Sequence, residues 1–243
     1  MKFSVVTVTF NAVKTVEETI KSVSSQNNVD IEYIIIDGNS TDGTVEIIKS
    51  HSSEISYWIS EPDKGIYDAM NKALNVATGD YLIFMGADDV FYETNTLEKV
   101  KSQIDDETCI YYGRVVEKNS GNLSRGPVKN ALDLCRVNIS HQSIFYPRFI
   151  YKAQKYQLKY RIYADYVYNL ELYAKYQKNF RYIDQIITVF NENGASGQRN
   201  DIAFEKDRCK IASDLFGIGD GGILWVGLRT KAFLRKVGLL RKK

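Results

Sequence analysis

The chain has 243 residues, 44% apolar and 26% charged, with a net charge of +2, the make-up of a soluble globular protein with one large domain, or a domain and an appendage. That balance is unevenly placed: residues 1–110 hold 8 basic and 19 acidic side chains, and residues 111–243 hold 24 and 11. The acidic first half argues against a nucleic-acid grip there and suits a site that collects Mg²⁺ or Mn²⁺, whereas the basic second half suits phosphates, an anionic acceptor or a membrane surface.

Three cysteines, Cys109, Cys135 and Cys209, are far apart and odd in number. No C-x-x-C or Cys/His cluster accompanies them, so neither a zinc site nor a disulfide framework is expected, and reduced thiols in a cytosolic protein are the plain reading. The N-terminus enters a strand almost at once, unlike a signal peptide. No apolar run approaches the ~20 residues of a spanning helix.

In chain order, residues 3–10 are β-rich and apolar on both faces, and Asn11 ends the run. Val16, Ile20 and Val23 have helical spacing within 15–26, with Thr15 and Glu18 placed for a capping box. Residues 31–36 read as a second buried strand, followed by a polar loop from Asp37 to Gly43 and a helix over 44–50. A short strand at 55–60, a turn at 61–65 and a helix over 66–77 come next. The stretch 81–86 is a continuous apolar run, with Gly79 before it and Gly86 after it, and reads as a strand buried on both faces. Strands and helices alternate without hairpin turns, which implies parallel pairing by right-handed crossovers and an α/β domain.

After Asp89 the pattern loosens. A helix is expected over 94–103, a strand over 109–116, a polar connection over 117–130 and a short helix over 130–136. A strand at 142–146, a helix over 166–176 with Asp165 just before it, one or two strands in 180–190, a polar loop at 191–200 and a helix over 201–216 complete the reading. The organisation expected is a domain over 1–216, with a nucleotide half at 1–110 and an acceptor half at 111–216, and a basic amphipathic segment at 217–243.

Three polar loops, at 9–11, at 37–43 and at Asp88–Asp89, follow three parallel strands and therefore open on one edge of the sheet, where ligands bind in open α/β folds. A nucleotide laid across them brings its diphosphate to Asp88 and Asp89 through a metal. Adjacent carboxylates repel unless a cation or water relieves them, and Mg²⁺ is commonly held by one or two carboxylates plus substrate phosphates. The bland alternatives are a solvated turn for this pair, turn and cap roles for Asp37 and Asp42, and an N-cap role for Asp165. Neither G-x-G-x-x-G after the first strand nor a P-loop is present, and no G-x-S-x-G nucleophile motif appears.

Four stretches carry a resemblance: Val-Val-Thr-Val-Thr-Phe-Asn (5–11), Ile-Ile-Asp-Gly-Asn-Ser-Thr-Asp-Gly-Thr (35–44), Ser-Glu-Pro-Asp-Lys-Gly-Ile-Tyr-Asp-Ala-Met-Asn-Lys-Ala (60–73) and Gly-Asp-Tyr-Leu-Ile-Phe-Met-Gly-Ala-Asp-Asp (79–89). In this order they resemble family 2 glycosyltransferases of the GT-A fold, especially bacterial enzymes that build surface and extracellular polysaccharides. The match continues more loosely through His-Gln-Ser-Ile-Phe-Tyr (141–146) and Ala-Asp-Tyr (164–166).

The resemblance implies an open, mostly parallel sheet flanked by helices, with a C-terminal helical extension. It also implies an inverting, metal-dependent transfer from a nucleoside diphosphate sugar to a hydroxyl of a glycan or lipid-linked glycan. Thr9, Asn11 and Asp37 would line the nucleotide pocket, with Asp63 and Lys64 near the base. Asp88 would face the ribose and metal, Asp89 would bind Mn²⁺ or Mg²⁺, and Asp165 would be the catalytic base. His141 and Gln142 would contact diphosphate or acceptor. Asp89→Ala is expected to remove metal-dependent nucleotide affinity and leave the fold intact. Gly38, Met70 and Gly86 depart from the residues many relatives carry. Gly38 and Met70 keep open a catalytically inactive sugar-nucleotide-binding or scaffold protein, while a nucleotidyltransferase lacks its glycine- and basic-rich first loop.

Residues 222–243 hold seven basic residues and no acidic one, with Val226, Phe233, Val237 and Leu240 on one helical stripe. Such a segment suits the interface of an anionic bilayer, so the chain is expected to be cytoplasmic, with peripheral contact to the inner membrane. The alternative is that the stripe docks on the α/β domain.

Overall fold

The computed structural model describes residues 1–191 and 201–217. Strands β1 (Lys2–Thr9), β2 (Asp30–Asp37), β3 (Tyr57–Ser60) and β4 (Tyr81–Gly86) alternate with helices α1 (Val16–Ser24), α2 (Thr44–Ser50) and α3 (Ile66–Val76). Beyond them lie β5 (Val90–Phe91), α4 (Thr96–Gln103), β6 (Ile110–Glu117), α5 (Ala131–Leu134), β7 (Ile144–Pro147), α6 (Arg148–Ala153), α7 (Ala164–Tyr176), β8 (Phe180–Phe190) and α8 (Ile202–Phe216). Among the described residues the strands form one eight-stranded sheet in the order β3-β2-β1-β4-β7-β6-β8-β5.

The first half pairs in parallel, β2 with β3 and β1 with both β2 and β4. The alternating faces of these strands feed two cores. Phe3 and Val5 of β1 with Tyr81, Ile83 and Met85 of β4 pack under α1, α2 and α4. Val6 and Val8 with Leu82 and Phe84 pack under α3, α6, α7 and α8 on the other face. A strand covered on both faces needs apolar residues at successive positions, which is why 81–86 reads as an unbroken apolar run.

The second half departs from the expected pattern. β7 runs antiparallel between β4 and β6, and β6 pairs in parallel with β8 across an irregularity at Gly113. The two-residue β5 lies antiparallel to the end of β8. The capping box at α1 does not form: the Thr15 hydroxyl donates to Ala12 O at 3.4 Å, and the helix has no side-chain cap. The strand expected at 142–146 begins only at Ile144, because residues 141–143 make a 3-10 turn. No helix among the described residues is long and apolar enough to cross a membrane. Residues 192–200 and the basic stripe of 222–243 lie outside the described residues.

Candidate active site

Parallel register brings the loops to one edge. Thr9 is the partner of Asp37, Asp37 of Ser60, and Val8 of Gly86. Asn11 follows β1 with a left-handed backbone, φ 50°, a region Asn tolerates better than most residues. Its N–H donates to Ser40 Oγ at 2.7 Å and its Oδ1 accepts from Thr41 N at 3.0 Å, so the first loop is sewn to the second. Asp42 completes the seam by accepting from Val13 N and from the Thr44 hydroxyl. The Thr44 hydrogen bond is the main reason its carboxyl lies below the ordinary range.

Asp37 is fully buried. It accepts from the Ser40 hydroxyl and N–H and from the Ser60 hydroxyl, at 2.5, 2.9 and 2.6 Å. Its carboxylate therefore shapes the loop from within. Asp63 lies above this floor: it accepts from Gly65 N through Oδ1, while Oδ2 sits 2.6 Å from where a Cβ on Gly38 would be. A side chain at position 38 would displace the Asp63 carboxylate. Phe10 stands beside it and is 64% exposed. Lys64 is exposed, and the Thr9 hydroxyl is buried with no partner among the described residues.

The acidic pair is unequal. Asp89 is 0% exposed. Its Oδ2 accepts from Gly86 N at 2.9 Å and Gln142 Nε2 at 3.0 Å, and its Oδ1 from Asn191 N at 3.2 Å. Asp88 is half-buried. One of its oxygens accepts from Asn191 Nδ2 at 2.9 Å, and the other takes no hydrogen bond among the described residues. Burial, and then the charge of Asp89, push the Asp88 carboxyl above its ordinary range. Both carboxylates fold back over Gly86, where a Cβ would lie 2.7 Å from Asp89 Oδ2 and 3.0 Å from Asp88 Oδ1. That close approach accounts for the glycine.

No group of three or more His, Cys, Asp or Glu side chains is arranged to hold a metal among the described residues. The donor set is one Asp88 oxygen that takes no hydrogen bond among the described residues, beside the fully hydrogen-bonded Asp89. It fits a hard divalent cation that takes its remaining ligands from water and from substrate phosphates.

Because β7 is antiparallel to β4, the 3-10 turn preceding it sits beside the acidic pair. Gln142 reaches Asp89 as above, while its neighbour His141 places Nδ1 3.3 Å from Asp165 Oδ2. Asp165 lies inside the first turn of α7, with Tyr163 at the capping position, so the capping alternative for Asp165 does not hold. Its Oδ1 accepts from Tyr166 N at 2.8 Å and lies 2.9 Å from the Tyr67 hydroxyl. Its Oδ2 accepts from Asn138 Nδ2 at 2.9 Å. Asn169, one turn along α7, donates to Asn138 Oδ1 and is itself gripped by the Tyr146 hydroxyl. Asp201 caps α8 through Phe204 N and also accepts from Ile162 N and Tyr163 N, steadying the approach to Asp165.

Thr9, Asn11, Asp37, Asp63, Asp88, Asp89, Gln142, His141 and Asp165 thus form one connected edge. Tyr67, Asn138, Asn169 and Asn191 were not foreseen. Tyr67 stood inside the quoted stretch 60–73, but nothing local tied it to a residue 98 positions away.

The chain matches the glycosyl transferase family 2 over residues 4–177 and belongs to that family; it is a glycosyltransferase. It is 33% identical over 202 residues to a PGL/p-HBAD biosynthesis glycosyltransferase of Mycobacterium tuberculosis, covering 79% of this chain and 77% of the relative. A putative teichuronic acid biosynthesis glycosyltransferase of Bacillus subtilis is 34% identical over 111 residues, 44% of each chain. Among solved structures, S. aureus TarS superposes with a TM-score of 0.75 at 18% identity, over 90% of this chain and 40% of that one. A mannosyltransferase from Pyrobaculum calidifontis, solved with GDP-Man and Mn²⁺, gives 0.59 at 17% identity, over 88% and 63%. These likenesses confirm the GT-A-type α/β fold, with its mostly parallel sheet flanked by helices.

Proposed function

We propose that the chain transfers a sugar, with inversion, from a nucleoside diphosphate sugar to a hydroxyl of a glycan or lipid-linked glycan in bacterial surface-polysaccharide assembly. The observation that carries this reading is the 3-10 turn at 141–143, which joins a phosphate-side acid, Asp89, to a base-side acid, Asp165. TarS has been solved with UDP-GlcNAc, and the relatives named for PGL/p-HBAD and teichuronic acid biosynthesis support the acceptor class.

The nucleotide lies across Thr9, Asn11 and the loop that Asp37 shapes, with Asp63, Lys64 and the exposed Phe10 toward the base. Mn²⁺ or Mg²⁺ would be held at the acidic pair, by the Asp88 oxygen that takes no hydrogen bond among the described residues together with Asp89, which also fixes the turn. When bound, the cation neutralises charge growing on the departing diphosphate. The basic side, Asp165 with His141, removes the acceptor hydroxyl proton. Attack comes from the face opposite the diphosphate and inverts the anomeric carbon. Holding donor and acceptor together supplies much of the remaining acceleration, and no covalent nucleophile is needed.

The 1–110 and 111–216 halves act as donor and acceptor sides of one domain. Peripheral contact with an anionic membrane is assigned to the basic segment 222–243. It is tested by vesicle co-sedimentation of the full chain against one ending at Gly221; equal binding by both removes the assignment.

The decisive experiment supplies UDP-GlcNAc, UDP-glucose and GDP-mannose with Mn²⁺ and measures free UDP or GDP with and without chelator. Metal-dependent release supports the transferase reading. Nucleotide binding without release from any donor favours the inactive binding protein instead.

A further inference from the structure

We infer that Lys118 is a further diphosphate-binding residue: its ammonium, paired here with Glu18, turns to the diphosphate of the bound donor. This rests on the transferase reading above.

Lys118 directly follows β6. Its N–H donates to Phe190 O at 2.8 Å, and the residue after Phe190, Asn191, bonds both acids. Glu18 comes to the same place from α1. Its neighbour Thr19 donates its hydroxyl to the Asp89 carbonyl oxygen at 2.8 Å, in a buried contact. Lys118 Nζ lies 3.2 Å from Glu18 Oε2, so this ion pair joins the two elements on either side of the acidic turn. The charge of Lys118 is felt at Asp88, where it opposes the rise caused by burial and by Asp89.

The pair is a weak clamp. The Lys118 side chain is 44% exposed and that of Glu18 59%, and exposed pairs of this kind add little to stability. A lysine carries three donors on a flexible stem, so Nζ can leave Glu18 without a change in the backbone. Charge gives it a reason to leave. Asp88, Asp89 and Glu18 together set three carboxylates beside one ammonium. With a divalent cation at the acidic pair, Lys118 is repelled from Asp88 and Asp89, and a nucleoside diphosphate brings more negative charge to the turn than Glu18 offers. During transfer the bond from the anomeric carbon to the diphosphate oxygen breaks, and its electron pair leaves with the diphosphate. A positive charge already in place gains most there. Lys118 takes no proton in this step.

The same helix supplies a control. Lys21 of α1 pairs with Glu17 at 2.6 Å, with side chains 62% and 50% exposed, and among the described residues neither bonds the acidic turn. Removing Lys21 changes the net charge as removing Lys118 does.

The test is calorimetry with UDP and with GDP, each with Mn²⁺. Lys118→Ala is expected to bind the nucleotide about tenfold less tightly than wild type, and Lys118→Arg to recover to within about threefold. Glu18→Gln breaks the same ion pair but frees the ammonium, so it is expected to bind as tightly as wild type or more tightly. Lys21→Ala is expected to stay within about twofold. All four variants should melt with wild type. Equal affinity in wild type and Lys118→Ala overturns this inference alone. So does a matching loss in Lys118→Ala and Glu18→Gln, the mark of a merely structural pair, or a matching loss in Lys118→Ala and Lys21→Ala, the mark of net charge. Nucleotide binding without release from any donor counts against the transferase reading, and the affinities still decide this inference. A wild type that binds neither UDP nor GDP with Mn²⁺ overturns both.

Discussion

At the scale of single residues, Asp88 and Asp89 look alike in sequence and differ in environment. Asp88 has a raised carboxyl from burial and its neighbour's charge. Its ionised form is therefore disfavoured in the folded state, a penalty present above the folded pKa and relieved as pH falls through it. Asp88→Asn removes the penalty, so this variant should melt higher than wild type near neutral pH by differential scanning fluorimetry. The same variant should lose the Mn²⁺-dependent part of UDP affinity in calorimetry. A lower Tm with unchanged affinity would contradict both halves of this expectation. Asp89→Ala is now expected to harm the fold, contrary to the sequence-based expectation. It strands the buried Gln142 amide, at about 1–3 kcal/mol for a buried donor left unpaired, and removes the acceptor of Gly86 N as well. Urea unfolding should show the loss, and wild-type stability in Asp89→Ala would rule the account out. Adjacency of the two acids was legible in the sequence. Their inequality was not, because the groups that tie down Asp89 come 53 and 102 residues later.

At the scale of elements, the N-terminus of α8 serves more than its own helix. Asp201 caps Phe204 N with one oxygen and holds Ile162 N and Tyr163 N with the other. Asp201→Ala should cost about 1–2 kcal/mol for the cap alone, a Tm fall of about 2–8 °C in a chain of this size. It should also slow turnover, because the segment leading to Asp165 is loosened. Turnover and Tm both at wild-type values would exclude the linkage. The elements themselves were largely readable where periodicity is strong: the apolar run of β4 and the 16/20/23 spacing of α1 lie where they were expected. Direction of pairing was not readable in the second half. The four residues of β7 are buried at every position, and such a run says nothing about which neighbour it joins or in which sense. Residues 142 and 143 were absorbed into that strand for the same reason, since Gln142 and Ser143 are buried too.

At the scale of the molecule, the site is an edge shared by both halves of one sheet, and a nucleotide bound there should stabilise the whole. At UDP and Mn²⁺ concentrations about 100 times Kd, the folded state gains about 2.7 kcal/mol, a Tm rise of about 5–10 °C. Chelator should remove the metal-dependent part, and a melt insensitive to UDP with Mn²⁺ at millimolar concentrations would argue against the pocket. The parallel first half was legible because each strand there is followed by a helix and then another strand, the alternation that goes with parallel pairing. The joining of the halves was not: β7 enters between β4 and β6 from residue 144, and β8 returns beside β6 only after α7. Contacts of that sequence separation leave no local periodicity to read.

The hydrogen bond from Asn191 N to Asp89 spans 102 residues, and this separation has a consequence in time. A ribosome adding about 5–20 residues per second needs about 5–20 s to pass from one to the other. The strands that frame the nucleotide loops emerge early, but the acidic turn waits for its last donor. Nascent chains stalled before residue 191 should therefore carry the β1–β4 register without metal-dependent nucleotide affinity, and release of the stalled chain should restore it. The newborn enzyme would acquire its grip on substrate only once residue 191 has been made.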